Sequence, residues 1–484
     1  MSQDTTSKRG NFASNFGFMM AAVGSAVGLG NIWKFPYITG EYGGGAFVLV
    51  YLICIALVGL PLMYAELIIG RRGGRDILGA LRNLTKSKGV TGTFFSYLTG
   101  FLGVLSSFLM LAFYSVVAGW AIYFFLLALG LIRGVEFGDV TAFETLAENA
   151  RTASICHTAF MVMTIGVVML GVHRGIEFLC STLMPLLFII LFAMVAYVGY
   201  TGGLDKSLSF LFEPDFTKLT SAAVLEALGH AFFTLSLGMG AMVTYGSYLK
   251  DERHVIRDSV AIAALDTIVA LLAGTVIFAI VFDANLEPSK GPGLLFQTLP
   301  DLFVTMPGGA IVAPVFFGLV VFAAWSSGIS LLEVTVAYVV DEFGWTRPVA
   351  TWGVGLAIWA LGLACAAGVT VAWASSGGEP LTLQTWLDDL VSRYMLPVGG
   401  LLIAIVAGWL VLPEDSLSGF RHLVRSGAAL GAVWKVLIRF VTPVMVTIVL
   451  LWQAGLFEGM LNAQQQAPQP EGELSVPAEP EGEA

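Results

Sequence analysis

Apolar residues in this chain come in long unbroken blocks, not in the alternating or one-faced patterns of soluble strands and helices. A helix needs roughly 17–25 mostly apolar residues to cross a bilayer. Eleven such blocks are predicted, near residues 14–40, 44–70, 95–131, 156–173, 177–200, 222–249, 258–283, 309–341, 348–373, 386–411 and 433–458. The pattern divides the chain into a polar segment (1–13), two groups of five spans (14–200 and 201–411), an eleventh span with its preceding loop (412–461), and a tail (462–484). The tail is rich in Pro, Glu and Gln without periodicity and reads as disordered and acidic. The predicted fold class is an all-α polytopic membrane protein.

Two blocks are unsuited to being plain rods. The first carries Gly24-Ser25-Ala26-Val27-Gly28-Leu29-Gly30-Asn31, and the sixth carries Thr234-Leu235-Ser236-Leu237-Gly238-Met239-Gly240. Glycine in a helix interior costs about 1 kcal/mol relative to alanine, and here several fall where the bilayer is driest. Gly24 and Gly28 also form a GxxxG pair, which suits close helix packing. Two features favour broken helices instead. The glycines are mixed with Asn31, Thr234 and Ser236, and the clusters head corresponding groups of five spans, the arrangement that points to a transporter's midplane site.

A break at that depth frees backbone groups that lipid cannot satisfy. Freed carbonyls and hydroxyls suit a dehydrated cation, and half-helix N-termini, equivalent to roughly +0.5 charge each, suit a carboxylate. Ser326 and Ser327, in Ala323-Ala324-Trp325-Ser326-Ser327-Gly328, add candidate oxygens, although such serines also bond back to the preceding turn. Asp266 and Glu66 are carboxylates inside apolar spans, where charge is costly and functional by default. Asp266 is read as a site residue and Glu66 as a bridge to freed backbone amides.

Composition agrees with the pattern. Of 484 residues 57% are hydrophobic and 12% charged, against about 25% charged in soluble domains; mean hydropathy is +0.82. Soluble enzymes, nucleic-acid binders, collagen and disulfide scaffolds are excluded. With the N-terminus in the cytoplasm, 17 of the 24 Lys and Arg residues fall in inward-facing segments, as the positive-inside rule requires; the odd span count then puts the C-terminus outside. The polar start, Met1–Ala13, is not a cleavable signal. Cys54, Cys156, Cys180 and Cys365 have no metal or CxxC spacing, and His157, His173, His230, His254 and His422 form no catalytic or metal pattern, so no enzyme activity is expected.

The segments NFGFMMAAVGSAVGLGNIWKFPYITGEYGGGAF, GLPLMYAELIIGRRGG, ALGHAFFTLSLGMGAMVTYGSYL and FAAWSSGISLLEVTVAYVVDEFG resemble the sodium-coupled neurotransmitter-transporter (neurotransmitter:sodium symporter) family, particularly its bacterial amino-acid members. The likeness runs over essentially residues 9–460. It implies an inverted repeat of five plus five spans, with spans 1 and 6 broken and one extra helix. The implied activity is sodium-driven symport of a neutral, hydrophobic amino acid by alternating access, in the bacterial inner membrane. Its runner-up is a carrier of taurine-, betaine- or GABA-like solutes, or a channel or sensor on the same fold. The implied partners are the amino acid, the bilayer and Na+ at two sites; neither nucleic acid nor an organic cofactor is implied.

By the same resemblance, the first sodium site uses the Ala26 carbonyl, Asn31, Thr234, Asp266 and the substrate carboxylate. The second uses carbonyls of Gly24, Val27 and Ala323 with the hydroxyls of Ser326 and Ser327. Most members carry Asn where Asp266 stands. The positions that bind chloride in chloride-dependent relatives hold Tyr51, His230, Ser236 or Thr234, and Ala270, so Asp266 is expected to supply the negative charge and His230 to be its polar neighbour. The substrate pocket would be lined by Ser25, Ala26, Gly28, Gly30, Met110, Tyr114, Phe233, Ser236, Met239, Ser327 and Leu331. Gly28 stands where amine carriers have Asp, leaving room for a substrate carboxylate. Lys34 with Asp388 (or Asp389) would form the outer gate and Arg9 with Asp341 the inner one. Gly175 and Pro185 match a segment where the fifth span unwinds.

Overall fold

The computed structural model describes residues 10–139, 141–249, 255–286, 293–376, 379–411 and 427–456. Arg9 and the tail from residue 462 lie outside the described residues. The first span is two helices, Asn15–Ala26 and Gly30–Glu41, bent by 45° at the glycine cluster. The leading half starts where Ser14, in extended conformation, accepts from Gly17 N through its side chain, satisfying one of the orphan donors of a first turn. It stops where Val27 turns to ψ 109°, which no helix can continue.

Beyond that bent pair, nine helices among the described residues are long and apolar enough to cross a membrane: Gly45–Gly73, Gly89–Ala128, Ala150–Met169, Val172–Thr201, Val255–Asp283, Gly309–Phe343, Arg347–Ala366, Leu383–Leu410 and Ala429–Gln453. The predicted sixth span consists of two short helices, Ser221–Thr234 and Ala241–Ser247. The connection between them includes Ser236 at φ 53°, Gly238 at φ 81° and Gly240 at φ 80°, left-handed backbone that favours glycine and is uncommon for serine.

Two boundaries differ from the pattern-based ones. The third span's helix begins at Gly89 instead of near 95; a separate short helix, Ile77–Thr85, precedes it and packs back on it, the two divided by a turn at Lys86–Lys88 and by Gly89 at φ 62°. The ninth ends at Ala366, and Gly368 at φ 66° leads into a β-hairpin, β1 (Thr370–Ser376) paired antiparallel with β2 (Glu379–Thr382). The predicted span to 373 had absorbed a strand, since β-branched and aromatic residues read as apolar in either element.

Packing separates the helices into two sets. The third, fourth, eighth and ninth spans pack on one another, and the first, second, sixth and seventh do likewise. The broken segments of spans 1 and 6 lie where the sets meet.

Candidate functional site

Backbone freed at the first break is satisfied by side chains. Gly28 N donates to Asn31 Oδ1 at 2.9 Å, and Leu29 N to Tyr114 Oη at 3.2 Å. Asn31 Nδ2 donates to the Asp266 carboxylate at 2.7 Å and to its backbone carbonyl at 3.0 Å. Thr234 Oγ1, at the end of the leading half of span 6, lies 3.1 Å from both Asp266 carboxylate oxygens. Asn31, Thr234 and Asp266 are thereby drawn from three spans into one buried cluster.

At the second break, Gly238 N donates to Glu66 Oε1 at 2.7 Å, so Glu66 does bridge freed backbone. Ser236 ties the two broken segments together, its hydroxyl donating to the Ser25 carbonyl at 2.7 Å.

The eighth span brings its serines to the first break. Ser327 Oγ lies 3.2 Å from Gly24 O, 3.2 Å from Ser25 O and 3.1 Å from Val27 O. A hydroxyl has one hydrogen to donate, so this cluster holds more acceptors than donors. Ser326 Oγ bonds back to Ala323 O at 3.0 Å, and its Cβ lies 3.1 Å from where a Gly24 Cβ would stand. A surplus of buried carbonyl and hydroxyl oxygens is the chemistry of a hard-cation site, and these residues fit one.

Between the two breaks is a narrow cavity of about 20 Å³. All eleven residues expected at a substrate pocket line it, together with Leu29 and Thr234. Leu29 was not anticipated, although its place between Gly28 and Gly30 was a signal. Ser330 was missed too: Ser25 Oγ donates to Ser330 Oγ at 2.8 Å behind the cavity wall. A Cβ on Gly28 would stand 2.5 Å from Ser327 Oγ and 3.0 Å from Tyr114 Oη, so only glycine keeps this wall open. His230 is buried between Phe35 and Tyr51, with ring centroids at 5.9 and 5.3 Å. Neither of its ring nitrogens has a hydrogen-bond partner among the described residues, so the expected contact with Asp266 is not made.

The two predicted gates come out differently. Lys34 Nζ lies 3.9 Å from Glu226 Oε1 and 5.0 Å from the Phe233 ring centroid. Asp388 accepts from Ser392 Oγ at 2.7 Å, and Asp389 pairs with Arg393 at 3.1 Å. The Lys34–Asp388 pair is thus not closed; Glu226, one turn before His230, takes its place. Arg9 is outside the described residues, but Asp341 accepts from Asp76 N at 2.8 Å and has Arg75 Nε at 4.0 Å. Glu333, buried in the eighth span, is paired by Arg347 and by the Tyr248 hydroxyl, a cluster the sequence did not single out. Gly175 falls in a π-helical turn, Val172–Glu177, and Pro185 inside the helix that follows.

A helical membrane protein with two interrupted spans around an oxygen-lined cavity defines a secondary transporter. The chain belongs to the sodium:neurotransmitter symporter family, whose model matches residues 9–132 and 144–468. It is 36% identical over 450 residues to the uncharacterized sodium-dependent transporter YhdH of Bacillus subtilis, covering 92% of this chain and 98% of the relative. It is 30% identical to the sodium-dependent transporter MJ1319 of Methanocaldococcus jannaschii, covering 92% and 91%. The crystal structure of MhsT in complex with L-phenylalanine superposes with a TM-score of 0.82 at 41% identity, covering 92% of this chain and 99% of that one. The protein is a multi-pass, sodium-dependent transporter of a small molecule, not an enzyme.

Proposed function

We propose that this transporter is a sodium-driven symporter importing a neutral, hydrophobic amino acid, with two sodium sites and no need for chloride. The observation that carries the reading is the wall at Gly28. It presents bare backbone where an amine carrier needs an acid, so the substrate brings its own carboxylate to the cluster of Asn31, Thr234 and Asp266. Phe233, Met110, Met239 and Leu331 supply apolar walls, and methionine adapts to varied shapes. The L-phenylalanine bound by MhsT supports an amino acid of this kind.

Sodium at the first site would be held by Ala26, Asn31, Thr234 and Asp266, and at the second by Gly24, Val27, Ala323, Ser326 and Ser327. Sharing ligands between sodium and substrate makes each raise the other's affinity by the same factor. Asp266 carries the negative charge that an anion would otherwise bring. The interrupted sixth span counts as one crossing, making eleven, in the bacterial inner membrane with the N-terminus in the cytoplasm and the two halves at 14–200 and 201–411.

The test is uptake into liposomes of labelled neutral amino acids, with sodium or potassium outside and with chloride or gluconate as anion. Concentrative uptake that needs sodium and survives gluconate is expected. Collapse in gluconate overturns the chloride claim. A passive current without accumulation overturns symport in favour of a channel. Accumulation of taurine, betaine or GABA, but of no α-amino acid, overturns the substrate class.

A further inference from the structure

The connection between the second and third spans carries positive charge that the surrounding chain does not neutralise. No Asp or Glu occurs between Asp76 and Glu136. Arg82, on the short helix Ile77–Thr85, is spent on Glu342, to which its two terminal nitrogens donate at 2.9 and 3.0 Å. Lys86 and Lys88, in the turn that follows, are exposed and have no acidic partner among the described residues. Their backbone is held from behind. Thr85 Oγ1 and Ser96 Oγ, both buried, are 2.7 Å apart, and Thr85 Oγ1 also lies 3.1 Å from Gly92 O. Gly89 at φ 62° then turns the chain into the third span.

Next along the helix, the third span turns aromatic and aliphatic side chains outward. Phe94, Tyr97, Leu98, Phe101, Leu102 and Leu105 line a groove of about 360 Å³, and Phe94 and Phe101 are 60% and 59% exposed. The dimensions fit a membrane. At about 1.5 Å per residue, Phe94 to Leu105 spans roughly 17 Å, close to one leaflet of a hydrocarbon core about 30 Å thick. Lys88 comes roughly 9 Å earlier along the helix axis, at the level of the lipid headgroups. Tyr97 lies near that boundary, where phenol rings are favoured.

We propose that the turn Lys86–Lys88 and the adjoining groove form a docking site for one anionic phospholipid, its phosphate between the two lysine ammonium groups and one acyl chain along Phe94 to Leu105. An apolar groove one leaflet deep, headed by two unpaired cations, is complementary to an amphiphile with a negative head and a hydrocarbon tail. A zwitterionic lipid fills the groove as well but brings an ammonium of its own to the lysines. Because the turn is fixed before the lipid arrives, less ordering has to accompany binding.

The probe is a phosphatidylglycerol with a photoreactive diazirine in one acyl chain, compared with a phosphatidylcholine carrying the same chain. Each is added as a minor component to phosphatidylcholine vesicles that hold the full-length protein. After illumination, adducts are mapped by mass spectrometry on the segment 89–105 and, for reference, on the exposed face of the fifth span around Ile189 and Phe192. The phosphatidylglycerol probe is expected to label 89–105 at least about tenfold more than the phosphatidylcholine probe, with no such preference at the reference. Lys86→Gln and Lys88→Gln should each lower that signal by about fivefold, the factor for one basic residue beside an anionic lipid surface. Labelling by phosphatidylcholine should not change. Equal labelling of 89–105 by the two headgroups overturns the site, as does a preference that survives the double substitution or is equally strong on the fifth span. Should the double variant not fold, the two single ones decide by the same ratio.

Discussion

At Gly28 the absence of a side chain is the functional group. Gly28→Ala places a methyl 2.5 Å from Ser327 Oγ and 3.0 Å from Tyr114 Oη, so it must displace a hydroxyl that faces three carbonyls. Overpacking costs of about 1–3 kcal/mol are usual in a well-packed interior; uptake should fall at least about tenfold while the purified protein stays folded, as read by transport and melting together. Asp266 makes the opposite case, a charge placed where a neutral amide would fit the same hydrogen bonds. At an effective dielectric of 20, opposite unit charges about 4 Å apart attract by about 4 kcal/mol, so Asp266→Asn should weaken sodium activation of uptake by at least about tenfold. If Asp266 is the resident anion, that variant should also acquire a dependence on chloride, measured by exchanging chloride for gluconate. The types of these residues were legible in the sequence because each breaks a local rule: glycine in a mid-membrane helix, and a carboxylate in an apolar span. Glu226 broke none, lying near a span end where acids are unremarkable. Only the rotation of neighbouring helices decides which charge it meets, and periodicity gives a face, not a partner.

Among elements, the short connection before the third span carries a titration. Asp76 caps the short helix Ile77–Thr85 that precedes that span, accepting from Leu78 N and Gly79 N. Burial, with the Asp341 carboxylate next to it, pushes the Asp76 carboxyl from its usual 3.8 up to about 7. The folded protein then keeps a proton there that the unfolded chain has already released. Stability contributed by Asp76 is greatest in acid and falls as pH climbs from about 4 towards about 7. The melting temperature should therefore drop between pH 5 and pH 8, and Asp76→Asn, which remains a good cap, should flatten that drop. Constant melting across this range in the parent protein would remove Asp76 from the account. The helix breaks themselves were readable from glycine clusters, whereas the β-hairpin after Ala366 was not: its Val371, Trp373 and neighbouring small residues continue an apolar run, and only Gly368 at φ 66° ends the helix before them.

For the molecule as a whole, the site is assembled from spans far apart in the chain, so binding there is a statement about the entire fold. A ligand specific to the native state at a hundred times its dissociation constant stabilises by about 2.7 kcal/mol. Melting in sodium should exceed melting in potassium. A transported amino acid should raise it further in sodium than in potassium, by reciprocity. Equal shifts from the amino acid in both salts would mean that the two ligands ignore each other. The paired glycine clusters pointed to the two breaks, but the packing of spans into two sets that mix members of both groups of five was not legible in them. The ties across the boundary between the sets, such as Ser25 to Ser330 and Ser327 to Gly24, depend on three-dimensional register and left no trace in spacing.

Ser327 turns one hydroxyl hydrogen towards three backbone oxygens. Ser25 O also receives the Ser236 hydroxyl, so at any instant Gly24 O or Val27 O is still underserved by these hydroxyls, and in a dry interior the shortage is relieved by positive charge or by incoming water. An unladen carrier must therefore be wetted at the meeting of its first and eighth helices. Its homeward journey is as much a matter of admitting and expelling solvent as of tilting rods.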